Sequence, residues 1–248
     1  MNQLDSDYRE GRKLIDECMR TRAQLSSFDL FRACWSLIEE NKQKFIPRAA
    51  LANYHESAWR VLVYSDFVKH FAKVRPEFVP PARSLPAPAG AAVMVTIHTG
   101  LELGIANALK AKGKAVSLIF LPAPQNKDRV TVFRPLGQVQ FIKADADCLL
   151  NASLALRSGR VLLADCDHPL PENPSANAVR AISRGLFEFA KRTRTELCFV
   201  LPFVDRKGHI DFLHKSMGVP PRGNQDDRQK FVEFLGSAGM GWMRWELP

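Results

Sequence analysis

His98 closes an almost wholly apolar run, Ala91–Ile97, broken only by Thr96, and stands four residues before Glu102. An imidazole beside a carboxylate suits general-base chemistry: one ring nitrogen takes a proton while the acid bonds the other, fixes the tautomer and favours the imidazolium. The apolar run reads as a buried strand and a helix begins near Thr99, so His98 is delivered to the strand's carboxyl end, where open α/β sheets bind their ligands. Unpaired amides at the helix start offer partial positive charge to a developing oxyanion. The same residues admit a plainer reading. Thr99–Glu102 is a capping box in which the Glu102 carboxylate bonds the Thr99 amide, leaving His98 a partly buried loop residue. Placement alone leaves both readings open.

Asp165 and Asp167, with Cys166 between them and His168 after, follow a second apolar run, Val161–Ala164, and so reach the same edge. Asp-x-Asp-His could hold a divalent cation, but nothing else stands at ligand spacing, and no metal is expected. Aspartates that cap the following loop are the commoner arrangement. Arg134, within Phe133–Gly137, is either a phosphate contact or a solvated loop residue. Arg180, Arg184, Lys191, Arg192 and Arg194, interrupted only by Glu188, read as a wet helix face or a docking face for an acidic partner.

The elements that must position these groups are legible as a change of texture. Residues 8–75 read as helical, with Ala58–Phe71 the clearest amphipathic run: Trp59, Leu62, Val63, Phe67 and Phe71 fall on or near one face. Five prolines between Pro76 and Pro88 make an extended connector, since proline fixes φ and lacks a donor. Beyond it, apolar runs at 91–97, 115–121, 161–164 and 197–201 read as strands, and 101–112, 146–158 and 179–194 as helices. Asp205–Gly208 reads as a turn into a return strand at 210–213. Continuous apolar strands separated by helices imply a mostly parallel sheet flanked by helices, an α/β core over residues 89–248 behind a helical lead-in over 1–88.

Composition narrows the classes further. With 248 residues, 46% apolar and 25% charged, the chain reads as an ordinary globular protein. No apolar stretch approaches the roughly 20 residues that cross a bilayer, and residues 1–17 carry no signal pattern, so a cytoplasmic protein is expected. The net charge of +9 is spread along the chain. It would attract many anions without choosing among them, and no nucleic-acid partner is expected, because no reader motif or basic-aromatic interleaving accompanies it. The five cysteines lack C-x-x-C pairing and read as buried thiols in a reducing compartment.

Several segments in order resemble one family. Val95–Gly104, with His98 and Glu102 followed by Leu103-Gly104, resembles the catalytic motif of the lipid A late acyltransferases, within the lysophospholipid/glycerolipid acyltransferase superfamily. Leu156–Asp167 resembles that family's glycine, strand and acidic-pair segment. Leu197–Phe203 resembles its late strand ending in Val-Pro-Phe, here Leu201-Pro202-Phe203, and Gly241–Trp245 its Trp- and Arg-rich carboxyl end. Three residues separate His98 from Glu102 where the family has four. Phe120-Leu121-Pro122 stands where the family has an arginine that helps hold an anionic acceptor. The membrane helix usual at the amino end of those enzymes is not read here, so a soluble or carrier-bound substrate is expected.

The resemblance implies a soluble, divergent acyltransferase that uses acyl-carrier protein or acyl-CoA as co-substrate and needs no other cofactor. His98 would deprotonate a hydroxyl or amine acceptor as it attacks the thioester carbonyl, with Glu102 steadying the ring and the amides of Thr99 and Gly100 receiving the oxyanion. Asp165, Asp167 and Arg134 would then contact substrate, and the basic cluster would dock the carrier protein or the coenzyme A phosphates. A pathway making a lipid or other small molecule, with peripheral contact at the inner membrane face, fits this picture. A non-catalytic relative that binds an acyl chain or carrier protein, and a thioesterase, are the alternatives.

Overall fold

The computed structural model describes residues 3–45, 58–120, 139–169, 179–219, 227–240 and 244–247. The chain divides into two units, residues 1–81 with 203–211, and residues 82–202 with 212–248. The division falls between Pro81 and Ala82, inside the proline-rich connector rather than at its end near residue 88. The reason is Leu85, fully buried in the core of the second unit.

Among the described residues the first unit has three α-helices, α1 (Gln3–Thr21), α2 (Ser27–Glu40) and α3 (Ala58–Val74), with a short 3-10 turn at Lys42–Lys44. Ser26 caps α2, its hydroxyl accepting from the Asp29 amide at 3.1 Å. The amphipathic reading of α3 holds where its side chains are described: Trp59, Val63, Phe67 and Phe71 are all buried. They join Phe31 and Trp35 of α2 in an aromatic cluster, with Phe31 and Phe67 centroids 5.1 Å apart and Trp35 and Tyr64 at 5.1 Å. Arg60 and Glu39 form an ion pair at 2.8 Å within it.

Phe203–Asp211 belongs to this helical unit, although the lead-in reads as ending long before it. Two contacts explain the assignment. The buried Tyr64 hydroxyl donates to the Gly208 carbonyl at 2.9 Å, and Trp35 packs directly on Gly208. Gly208 has φ of +78°, and a Cβ there would sit 2.9 Å from Trp35 Cδ1.

The second unit is built on a six-stranded, mostly parallel sheet. Its strands are β1 (Ala92–Thr96), β2 (Val116–Phe120), β3 (Val139–Lys143), β4 (Val161–Asp165), β7 (Glu196–Val204) and β8 (Ile210–Ser216), in the order β3-β2-β4-β1-β7-β8. β1 lies between β4 and β7 and is parallel to both. Its residues alternate between two cores. Val93 and Val95 face one cluster with Ala152, Ala155, Phe187, Phe231 and Leu235, while Ala92 and Met94 face another with Leu103, Ile105 and Leu109. Helix α4 (Glu102–Lys110) therefore covers one face. Helices α5 (Cys148–Arg157), α6 (Gly185–Thr193) and α7 (Asp227–Leu235) supply the other cluster. Burial on both faces is why these strands are continuously apolar rather than alternating.

A second, three-stranded sheet, β5-β6-β9, comprises β5 (Asp167–Pro169), β6 (Val179–Ile182) and β9 (Arg244–Glu246). It corrects one expectation: 179–194 is not one helix. Its first four residues are the central strand of this small sheet, and helix α6 starts only at Gly185. Pairing with β5 and β9, distant in sequence, overrides a pattern compatible with helix. No described helix is long and apolar enough to cross a membrane.

Substituting Gly208→Ala should lower stability by about 1–3 kcal/mol, the usual range for a non-glycine residue forced into positive φ. Urea denaturation read at the aromatic cluster checks this; an unchanged midpoint would mean the turn relaxes freely.

Candidate functional site

The site is assembled by strand register. β1 and β4 pair in parallel with Thr96 opposite Asp165, and the Cys166 amide continues the ladder to the Thr96 carbonyl at 2.9 Å. Two residues further along each strand lie His98 and Asp167, which are therefore level across the sheet's carboxyl edge. The backbone amide of His98 donates to Asp167 Oδ1 at 2.7 Å, and ring Nδ1 meets the same oxygen at 3.0 Å. Ring Nε2 lies 3.3 Å from Asp165 Oδ2. Asp167 Oδ2 pairs with Arg180 Nε, a residue of β6.

Burial differs sharply along this chain of contacts. The His98 side chain is 37% exposed, that of Asp165 13%, and that of Asp167 only 1%. Burial by itself would push the His98 ring down, but the bond to Asp167 and the charges of Asp165, Asp167 and Glu102 outweigh it and raise its pKa to about 9. Burial likewise pushes the Asp167 carboxyl up, yet its bond to His98 and the Arg180 charge hold it below the ordinary aspartate value. The imidazole is thus predominantly a cation at neutral pH, set between two acids.

Glu102 does not serve the ring. Its Oε1 accepts the amides of Thr99 and Gly100, each at 2.7 Å, and the Thr99 hydroxyl lies 3.5 Å away. The Thr99 amide bond is the one the capping reading expects, although the helix starts at Glu102 with Leu101 at its cap position and no side-chain cap bond. The arrangement corrects two expectations together. The acid bonded to His98 is Asp167, and the amides of Thr99 and Gly100 are occupied by a carboxylate rather than left open for an oxyanion. The physical reason lies in the turn: Gly100 has φ of +76°, folding its amide and that of Thr99 back towards the buried Glu102 carboxylate. Glu102 contributes to His98 through charge and by fixing the loop that carries it.

The remaining candidates separate. Arg134 lies outside the described residues. The basic cluster is not one helix face. Arg180 is on β6 beside Asp167, the buried Lys191 pairs with Asp227 at 3.4 Å, and Arg184 is exposed and meets Glu188 at 3.3 Å. Trp245 packs against the core cluster, whereas Trp242 falls outside the described residues. Among the described residues no group of three or more His, Cys, Asp or Glu could hold a metal ion. Asp167, one arm of the Asp-x-Asp pair, already divides its two oxygens between His98 and Arg180.

Sequence reasoning placed Asp167 at the right edge but missed it as the histidine's partner. The apolar runs alone do not give this pairing: His98 follows Ile97 by one residue whereas Asp167 follows Ala164 by three, and only the β1–β4 register, with Thr96 opposite Asp165, brings the two level. No protein-family model matches the sequence, and no curated protein matches it significantly.

A raised His98 pKa ties stability to pH with a definite sign. The protonated ring gains its partners on folding, so this contribution is complete below the ordinary histidine value of about 6.5 and is lost as pH rises through about 9. NMR titration of the His98 ring should give a midpoint near 9, falling well towards the ordinary value in Asp167→Asn. A wild-type midpoint at or below 6.5 would show that the paired arrangement is not held in solution.

Proposed function

We propose that this chain is an acyltransferase, moving an acyl group from a thioester donor to a hydroxyl or amine acceptor with His98 as general base and Asp167 as its partner. The observation that carries the reading is a half-exposed imidazole at the end of a central parallel strand, with Nδ1 committed to a buried carboxylate. That commitment leaves Nε2 as the working nitrogen. Its contact with Asp165, at 3.3 Å, is longer than a well-formed hydrogen bond and is the one an acceptor would replace.

A thioester is already activated, so the protein has to supply only a base, orientation and charge balance. His98 Nε2 takes the acceptor proton as the oxygen or nitrogen attacks the carbonyl carbon. The tetrahedral intermediate then collapses with cleavage of the carbon–sulfur bond, and the departing sulfur takes the proton from the imidazolium, leaving an ester or amide and a free thiol. No covalent enzyme intermediate is needed. The cysteines support this: Cys166 lies between the two aspartates but is buried, its thiol pushed well above the ordinary value by burial and by both acids, and Cys198 is pushed up to about 12. Neither is a ready nucleophile at neutral pH.

The sequence resemblance to the lipid A late acyltransferases supports the same chemistry and an acyl-carrier protein or acyl-CoA donor. The free cysteines fit action in the cytoplasm. The second reading, a relative that binds an acyl donor without turning it over, draws on the raised ring pKa, which leaves little free base at neutral pH.

Free-thiol release from acyl-CoA and acyl-carrier protein, with and without acceptor, separates these readings. His98→Ala should lower acyl transfer by about a hundred- to ten-thousand-fold. For the wild type, the rate should climb between pH 7 and about 9 as the ring loses its proton. Transfer that survives His98→Ala would sink the proposal. Donor binding without turnover would favour the binding protein, and acceptor-independent release a thioesterase.

A further inference from the structure

We propose that Arg180 is the positioning residue of this site, holding the Asp167 carboxylate in the one orientation that keeps Oδ1 on His98. The inference rests on His98 acting as the base for its bearing on catalysis, but not for its structural content.

The argument starts from the cost of burying Asp167. An ionised carboxylate with 1% of its side chain exposed needs compensation at both oxygens, or it takes up a proton and stops steadying the imidazole. Oδ1 receives the backbone amide and Nδ1 of His98. Oδ2 meets Arg180 Nε. With each oxygen assigned, rotating the carboxylate would break contacts at both ends. The fold also fixes the arginine. Asp167 stands opposite Ile182, and Pro169 opposite Arg180, in the antiparallel β5–β6 pair. Arg180 is therefore two residues from the direct partner of Asp167 and shares its face, a diagonal within reach of a long side chain. β6 is the central strand of its sheet, with β9 on its other side, so the backbone carrying Arg180 is bonded on both edges.

Arg180 differs from an ordinary surface ion pair, whose median contribution is about 0–1 kcal/mol. Only 22% of its side chain is exposed, and its partner is sealed. The contact is a close ion pair rather than an aligned hydrogen bond, so what orients Oδ2 is the guanidinium charge held against it by the β6 backbone.

Four charged groups bear on the ring: Asp165 from the end of β4, Asp167 from β5, Glu102 from α4, and Arg180 through Asp167 from β6. That inventory gives two mechanisms of opposite sign. If Arg180 merely sat near the imidazolium, removing its positive charge would raise the histidine pKa. If it positions Asp167, removing it frees or neutralises the carboxylate, and the pKa falls.

The experiment is NMR titration of the His98 ring nitrogens in the intact chain, comparing wild type, Arg180→Met, Arg180→Lys and Asp167→Asn. In Arg180→Met the midpoint should fall by about a unit or more, towards that of Asp167→Asn, with the proton no longer held on Nδ1 in the neutral ring. Arg180→Lys, which keeps the charge on a shorter side chain that no longer holds it against Oδ2, should fall part of the way. An unchanged or higher midpoint in Arg180→Met, or an unchanged one in Arg180→Lys, overturns the proposal. Backbone amide spectra report whether each variant is folded, and Arg180→Lys decides the matter should Arg180→Met fail to fold. In the thiol-release assay the same variants should lose kcat with KM little changed. A shifted titration in a wild type that transfers no acyl group would leave the positioning role standing and remove the acyltransferase reading. Full activity with an unshifted titration would do the reverse.

Discussion

The buried carboxylate of Asp167 is the constraint around which the site is organised. It joins three segments distant in sequence: the turn after β1 through His98, the start of β5 through its own backbone, and β6 through Arg180. A charge so deeply placed is stable only when each of its oxygens is answered, and here a backbone amide, a ring nitrogen and a guanidinium answer them. The raised affinity of the imidazole for its proton follows directly, since Asp165 adds a second negative charge at the other ring nitrogen. Three carboxylates, those of Asp165, Asp167 and Glu102, bear on the ring against one guanidinium, and loss of the ring proton leaves their negative charge less balanced. That imbalance favours taking a proton back.

Glu102 and Asp167 divide a task that one acid looks able to perform from the sequence. Glu102 stabilises the loop by accepting the amides of Thr99 and Gly100, and Asp167 holds the ring. The short interval between His98 and Glu102 then has a structural meaning: three intervening residues close a tight turn on a buried acceptor, and the spacing has no need to bring Glu102 to the imidazole. An acid two residues past the end of the neighbouring strand takes its place, its position set by the β1–β4 register rather than by the loop.

Most of the scaffold was legible in the chain. The strands beginning at 92, 116 and 161 and the helices over 102–110 and 148–157 lie within a residue or two of where apolar runs, glycines and prolines put them. Such elements are encoded locally, because a buried parallel strand must be continuously apolar and a helix must end where its carbonyls lose partners. The small sheet was not legible. Val179–Ile182 sits directly before a true helix and carries the same mixture of apolar and basic residues, so only its pairing with β5 and β9 distinguishes it. The basic cluster dissolved for the same reason: Arg180 on β6 answers Asp167, while Arg184 and Lys191 on or beside α6 both meet Glu188 and Lys191 also reaches Asp227.

By itself the sequence determined that His98 would stand at the carboxyl edge of a buried parallel sheet, and that Asp165 and Asp167 would reach the same edge. Hydrophobic burial dictates both, and it leaves its mark in the order of residue types along one strand. Only the tertiary structure decided which acid the imidazole meets and which arginine meets that acid. Those contacts depend on which strands are neighbours and in what register, quantities fixed by packing among segments tens of residues apart, on which no local pattern bears.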